Sequence, residues 1–215
     1  QGMQQYSVLA SDRTMYYFNM EDATVGGYTP EKVALRRAIA LGIDAKNVID
    51  YAFNGLGTYS QGPTLPHTSA YDPALKTEFS DYDPARARAL LDLYGYADRD
   101  GDGWREMPDG APLLLRVSTT PVQRDRKIAE VMNKNMKALG IRVQLLTAQW
   151  PENLKAARAG KLQMWFLGQI STAPDAGGGF ARFDGRQAGG QNLARFKLPQ
   201  ADVLYDRLQT LPDGP

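Results

Sequence analysis

Residues 113–145 read LLLRVSTTPVQRDRKIAEVMNKNMKALGIRVQL, and this stretch decides the fold class. Leu113, Leu115 and Val117 alternate with Leu114 and Arg116, the period-two pattern of a strand with one face more buried than the other. Ile128, Val131, Met132, Met136 and Leu139 then fall on one helical face. Gly140 stands where the helix must stop, and Ile141, Val143 and Leu145 alternate with Arg142 and Gln144 as the next strand. Strand, helix and strand in that order make a βαβ unit. Downstream, Pro151 to Ala159 predicts a helix closed by Gly160, and Leu162 to Leu167 is a nearly continuous apolar run suited to a central strand. The class is α/β.

Upstream, residues 14 to 20 are rich in aromatic side chains and read as a strand buried on at least one face. Thr29-Pro30 is a cap followed by proline at the first helical position, with Leu35, Ala38, Ile39 and Gly42 at helical spacing. Asp44 caps a second helix whose stripe is Val48, Ile49, Ala52 and Phe53, with Gly55 at its left-handed end. From Gly55 to Tyr82, glycines and prolines without a sustained period predict a long ordered surface loop. Asp83-Pro84 starts a third helix with Ala87, Leu90, Leu91 and Tyr94 inward and Gly95 as the stop. Residues 168 to 192 are glycine-rich, and Ala201, Leu204, Leu208 and Leu211 mark a final helix.

The chain has 215 residues, 43% hydrophobic and 23% charged, a composition that folds. Its net charge of +1 gives no electrostatic case for nucleic acid or an anionic membrane, and no apolar run is long enough to span a bilayer. With no cysteine, thiol catalysis, Cys-ligated zinc and disulfides are excluded; with His67 as the single histidine, so is a two-histidine metal site. No enzymatic activity is expected. The opening Gln1-Gly2-Met3 lacks a basic and apolar leader, and the ending Leu211 to Pro215 reads as a linker, as expected of a piece of a longer protein.

Several phrases together carry a resemblance. They are Tyr17-Phe18-Asn19, VALRRAIALGID at 33–44, YDPARARALL at 82–91 leading to Gly95-Tyr96, DRDGDGWREMPDG at 98–110, Leu139-Gly140-Ile141-Arg142-Val143, and Gln149-Trp150 with Leu154 four residues on. In that order and spacing, the chain resembles the C-terminal lobe of the bacterial extracellular solute-binding proteins of family 5, the oligopeptide, dipeptide and nickel receptors of ABC transporters. The resemblance implies a single lobe over residues 1–215, a mixed sheet flanked by helices with a β-hairpin insertion, and a second lobe elsewhere. It also implies a monomeric, periplasmic or membrane-anchored extracellular receptor that closes around a peptide or peptide-like solute and delivers it to a membrane permease.

In such receptors the tryptophan matching Trp150 lines the cleft, and an aspartate after the strand matching 162–167 holds the peptide's amine. Aligned on Gly168, that aspartate falls at Thr172, which departs from ordinary free-amine binding; Asp175 lies three residues on. Independently, ligands of open α/β sheets bind outside the carboxyl ends of the strands. Gln169, Ser171, Thr172 and Asp175 follow such an end, so with Trp150 they are the candidate ligand-binding residues.

Asp98, Asp100, Asp102 and Asp109, with Gly103 and Glu106, match the ligand spacing of an EF-hand-like calcium loop, and calcium is the one cofactor considered. Asp109 replaces the bidentate Glu and Arg105 an apolar residue, and the resemblance makes the segment a turn entering the hairpin. His67 has no Ser or Asp at catalytic spacing and reads as a surface or locally bonded side chain. Gly177-Gly178-Gly179 lacks the Lys and Ser/Thr of a phosphate loop and opens no clear helix. Two rival functions stand beside the receptor: a ligand-sensing domain of a transcription regulator, and a calcium-stabilised structural or carbohydrate-active module.

Overall fold

A computed structural model describes residues 4, 6, 8–79, 81–171 and 173–211. The two ends quoted above, 1–3 and 212–215, lie outside these residues. Four strands, β1 (Asp12–Phe18), β2 (Leu114–Thr119), β3 (Arg142–Thr147) and β4 (Met164–Ile170), form one sheet in the order β1-β4-β2-β3. β2 is parallel to both β3 and β4, while β1 runs antiparallel to β4, from Asp12 opposite Ile170 to Phe18 opposite Met164. The sheet is mixed, as the resemblance implies.

The helices are α1 (Pro30–Gly42), α2 (Ala45–Ala52), α3 (Pro84–Leu93), α4 (Gln123–Ala138), α5 (Trp150–Arg158), the one-turn α6 (Gly177–Phe180) and α7 (Pro199–Thr210). Their starts follow local chemistry. Asp44 and Asp83 accept the backbone N–H of Asn47 and Arg86 at 2.9 Å each, satisfying donors that a first turn leaves open. Thr29 does not cap in this way; its hydroxyl donates to Glu31, and Pro30 sets the entry angle. Gly140, at φ +74°, ends α4 in a conformation that a Cβ would strain.

One face of the sheet holds the larger core. Leu115, Val117, Met132, Met136, Leu139 and Ile141 pack there with Leu35 and Ile39 of α1, Leu91 of α3 and the fully buried Tyr96. Each such aliphatic side chain contributes about 1.5–3 kcal/mol relative to exposure. The opposite face carries a smaller cluster of Tyr17, Trp165, Leu167, Ala157 and Leu193. The ends of β1 and β4 are tied by polar groups. Asn19 donates through Nδ2 to the carbonyls of Gly160 and Leu162, and Gln163 bridges the Arg116 amide and Asp22.

The structure differs from the sequence expectations in five places. The first strand starts two residues earlier and stops at Phe18, because the Asn19 side chain turns back to bond the segment before β4. The hairpin is reduced to one bridge, Glu106 to Pro112, flanked by the bonds Met107 N–H to Ala111 O and Leu113 N–H to Arg105 O. Pro112 has no N–H with which to extend the ladder. Leu145 is exposed, since β3 is an edge strand whose outer half no helix covers. In α7, Leu204 and Leu208 are exposed too, as is Leu211 just past its end, and no residue of that helix is buried. The three glycines at 177–179, read as opening no clear helix, form the single turn of α6.

Candidate functional site

The carboxyl ends of β2, β3 and β4 gather on one side of the sheet, where α4 and α5 begin. Asn153, buried in the first turn of α5, donates to Thr119 O at 2.9 Å and Ala148 O at 3.3 Å, and so fixes α5 against the ends of β2 and β3. Glu152 accepts the Gln149 N–H at 3.1 Å, closing the start of the helix. The first residue of α5 is Trp150, expected at a ligand cleft. Its indole is 44% exposed and stacks on buried Trp165, with ring centroids 5.8 Å apart and planes 21° from parallel. An aromatic side chain held open by a second ring offers an apolar face at little ordering cost.

The other candidates lie beyond β4. Gln169 is 4% exposed, and its Oε1 accepts from Arg13 Nη2 at 3.0 Å. It thus holds a neighbouring cation and is not open to solvent. Ser171 closes a local turn, its hydroxyl donating to Ala173 O at 2.8 Å. Asp175 is exposed ahead of α6. Thr172 lies outside the described residues. The structure therefore brings Trp150 and Gln169 to the strand ends of one sheet, in different roles, and leaves Ser171 and Asp175 on the following loop.

The long loop 55–82 closes over the start of β1. Ser11 donates to Pro66 O at 2.8 Å, Arg13 donates to Gly62 O, and Ser69 N–H donates to Pro174 O at 2.8 Å. His67, at φ +63°, is an exposed side chain whose Nε2 is bonded to Leu9 O at 2.6 Å, a partner 58 positions away. A groove between α2 and this loop, lined by Asp44, Lys46, Tyr59, Asp81 and Tyr82, takes no residue from the four strands.

Sequence reasoning missed Arg13, Tyr17 and Arg182. Arg13, Met15 and Tyr17 share one face of β1 by the period of two. Arg182 Nη1 donates to Tyr17 Oη at 3.0 Å. Burial pushes the Arg13 pKa down; Tyr17 pulls it up and the Arg182 cation lowers it further. The strand alternation was a usable signal for Arg13 and Tyr17. Nothing local linked either of them to residue 182.

In the acidic turn, Asp98, Asp100, Asp102 and Glu106 bring carboxylate oxygens within 4.8 Å of one another. Asp109, included in the calcium loop by spacing, is not in this group; it accepts the Ala111 N–H at 3.0 Å. The cause is the break at Met107–Gly110, where the chain turns toward Pro112 and does not enter a second helix. Asp98 accepts the amides of Gly101 and Gly103, Asp100 that of Asp102, and Asp102 that of Trp104 together with Arg142 Nη2 at 2.9 Å.

A family model, bacterial extracellular solute-binding proteins, family 5 Middle, matches residues 1–191. Di/tripeptide-binding protein 1 of Pseudomonas aeruginosa is 26% identical over 184 residues, covering 83% of this chain and 31% of that protein. Heme-binding protein A of Haemophilus influenzae is 25% identical over 191 residues, covering 88% and 32%. The oligopeptide-binding protein AppA of Bacillus subtilis, solved with a nonapeptide, superposes with a TM-score of 0.83 at 21% identity, over 96% of this chain and 40% of AppA. The chain spans about a third of the length of the curated relatives it matches. Among the described residues, no helix is long and apolar enough to cross a membrane. Family members are binding proteins found outside the cytoplasmic membrane, and this chain belongs to the bacterial extracellular solute-binding proteins, family 5.

Proposed function

We propose that this chain is one lobe of a two-lobed receptor, residues 1–215 forming a single α/β unit, that captures a peptide or peptide-like solute in the periplasm or at the cell surface and passes it to the permease of an ABC importer. The observation that carries this reading is Trp150, held half-exposed against Trp165 at the carboxyl ends of the strands, where open α/β sheets bind ligands. Di/tripeptide and heme binding in the names of relatives sets the range of solutes. The lobe works by approach: a solute touching Trp150 and the opposite lobe together stabilises the closed form over the open one. With Thr172 in place of the family's aspartate, Asp175 is the carboxylate on this loop for a peptide's amine. The lobe performs no covalent chemistry in this reading.

Native mass spectrometry of the full-length protein, purified from its host without refolding, tests it. A co-purified peptide or peptide conjugate is the expected result. A protein that carries no solute and shows no thermal shift across peptide panels would overturn it.

A further inference from the structure

Two guanidiniums, Arg13 and Arg182, belong to the side of the β1–β4 pair that carries Tyr17 and Trp165, near enough for the Arg182 charge to act on Arg13, and among the described residues neither forms a salt bridge. Neutral groups hold them instead. Arg13 donates to the Gly62 carbonyl and to Gln169 Oε1, while its Nε is buried without an acceptor, the one such side-chain atom among the described residues. Arg182 uses one N–H on Tyr17 Oη, and its remaining donors have no protein acceptor among the described residues. Because Tyr17 accepts from Arg182, its own hydroxyl proton remains to be donated, and no acceptor takes it among the described residues.

Gathering like charges at a partly buried place is unfavourable unless an anion joins them. Burial lowers the Arg13 pKa, Tyr17 raises it and the Arg182 cation lowers it, so the two guanidiniums bear on each other unfavourably. The β1–β4 register sets Tyr17 opposite Trp165, with ring centroids 6.3 Å apart, and Trp165 stacks on Trp150; Arg13, opposite Gln169, lies four residues further toward the start of β1.

We propose that Arg182 and the Tyr17 hydroxyl, with Arg13 behind them, form a subsite for an oxyanion on the solute, a carboxylate or a phosphate, set next to the apolar face of Trp150. This rests on the receptor reading above and narrows its solute to one bearing negative charge. Charge-assisted hydrogen bonds to a guanidinium supply the affinity, and the indole next to them favours an apolar group adjoining the anion.

The test is calorimetric titration of the full-length protein with four probes: short peptides with free carboxyl ends, the same peptides as C-terminal amides, succinate with glycerol phosphate, and maltose. Peptide acids are expected to bind about tenfold more tightly than their amides. R182Q should remove that preference, Y17F should reduce it, and R182K should keep part of it, all with unchanged circular dichroism. Succinate binding against glycerol phosphate binding tells carboxylate from phosphate. Acids and amides bound alike, which is also the outcome if a carboxylate of the other lobe fills the subsite, overturn the proposal and leave the receptor reading. Binding of succinate or glycerol phosphate without any peptide keeps the subsite and overturns the peptide reading. Binding of maltose alone, or of no probe, overturns both.

Discussion

Trp150 and Trp165 stack with centroids 5.8 Å apart, yet Trp165 is 4% exposed and Trp150 44%. One ring belongs to the core and the other to the surface, so the same substitution has very different consequences at the two positions. W165A empties a packed site and should cost about 3–5 kcal/mol in denaturant unfolding. W150A should cost about 1 kcal/mol or less in the same measurement while weakening solute binding by the full-length protein. Equal stability losses at both positions would contradict the division.

The amide of Asn153 fixes the start of α5 to the strand ends. N153A leaves the carbonyls of Thr119 and Ala148 without this donor in a buried place. The expected loss is about 1–3 kcal/mol in chemical denaturation. Because α5 also carries Trp150, solute affinity should fall with it, and a variant with unchanged stability and affinity would show that the tie has no mechanical role.

Gly26 is irreplaceable for a steric reason. A Cβ there would lie 2.5 Å from the carbonyl oxygens of both Asp22 and Met20, which are backbone and cannot swing away. G26A should lower stability by about 2 kcal/mol or more, read as a lower thermal midpoint.

Asp98 organises the acidic turn through the amides of Gly101 and Gly103. D98A should destabilise by about 1–2 kcal/mol, as loss of a side-chain cap does. If the four gathered carboxylates serve the turn alone, calcium and chelator should give the same thermal midpoint. A midpoint raised by calcium would instead mark an ion bound to the native state.

Glu21 receives Lys197 and Arg195, both at 2.6 Å, and these bonds hold its carboxyl pKa below the usual range. A depressed folded-state pKa means that the contribution is present above the unfolded value, near 4.5, and is lost as pH falls through the folded one. The pair is largely solvated, so the effect is at most about 1 kcal/mol. E21Q should flatten the acid side of the stability profile and leave neutral stability lower by that amount.

Much of the architecture was legible because it is written locally. Asp44, Asp83, Pro30 and Pro84 announce helix starts by the amides they satisfy or lack, and the spacing from Ile128 to Leu139 names the buried face of α4 correctly. What was not legible depends on partners far along the chain. Leu145 and Leu204 have the same pattern as buried residues and are exposed because β3 is an edge and α7 lies against nothing that buries it. At the site, Trp150 could be named from its phrase, but its support by Trp165 could not. The role of Gln169 as an acceptor for Arg13 follows from an antiparallel register that no local pattern encodes.

That register also sets a schedule. Arg13 and Gln169 are 156 positions apart, and β1 has no other neighbour in the sheet. On a ribosome adding about 5–20 residues per second, β1 waits roughly 8 to 30 s for β4 to emerge. During that interval the βαβ unit of β2, α4 and β3 can assemble from near neighbours, while Met15, Tyr16, Tyr17 and Phe18 remain an aromatic strand without its mate. Nascent-chain holding factors should therefore engage residues 12–18 in preference to the βαβ segment, and a circular permutant of this unit that joins β1 to β4 should refold faster than the natural order.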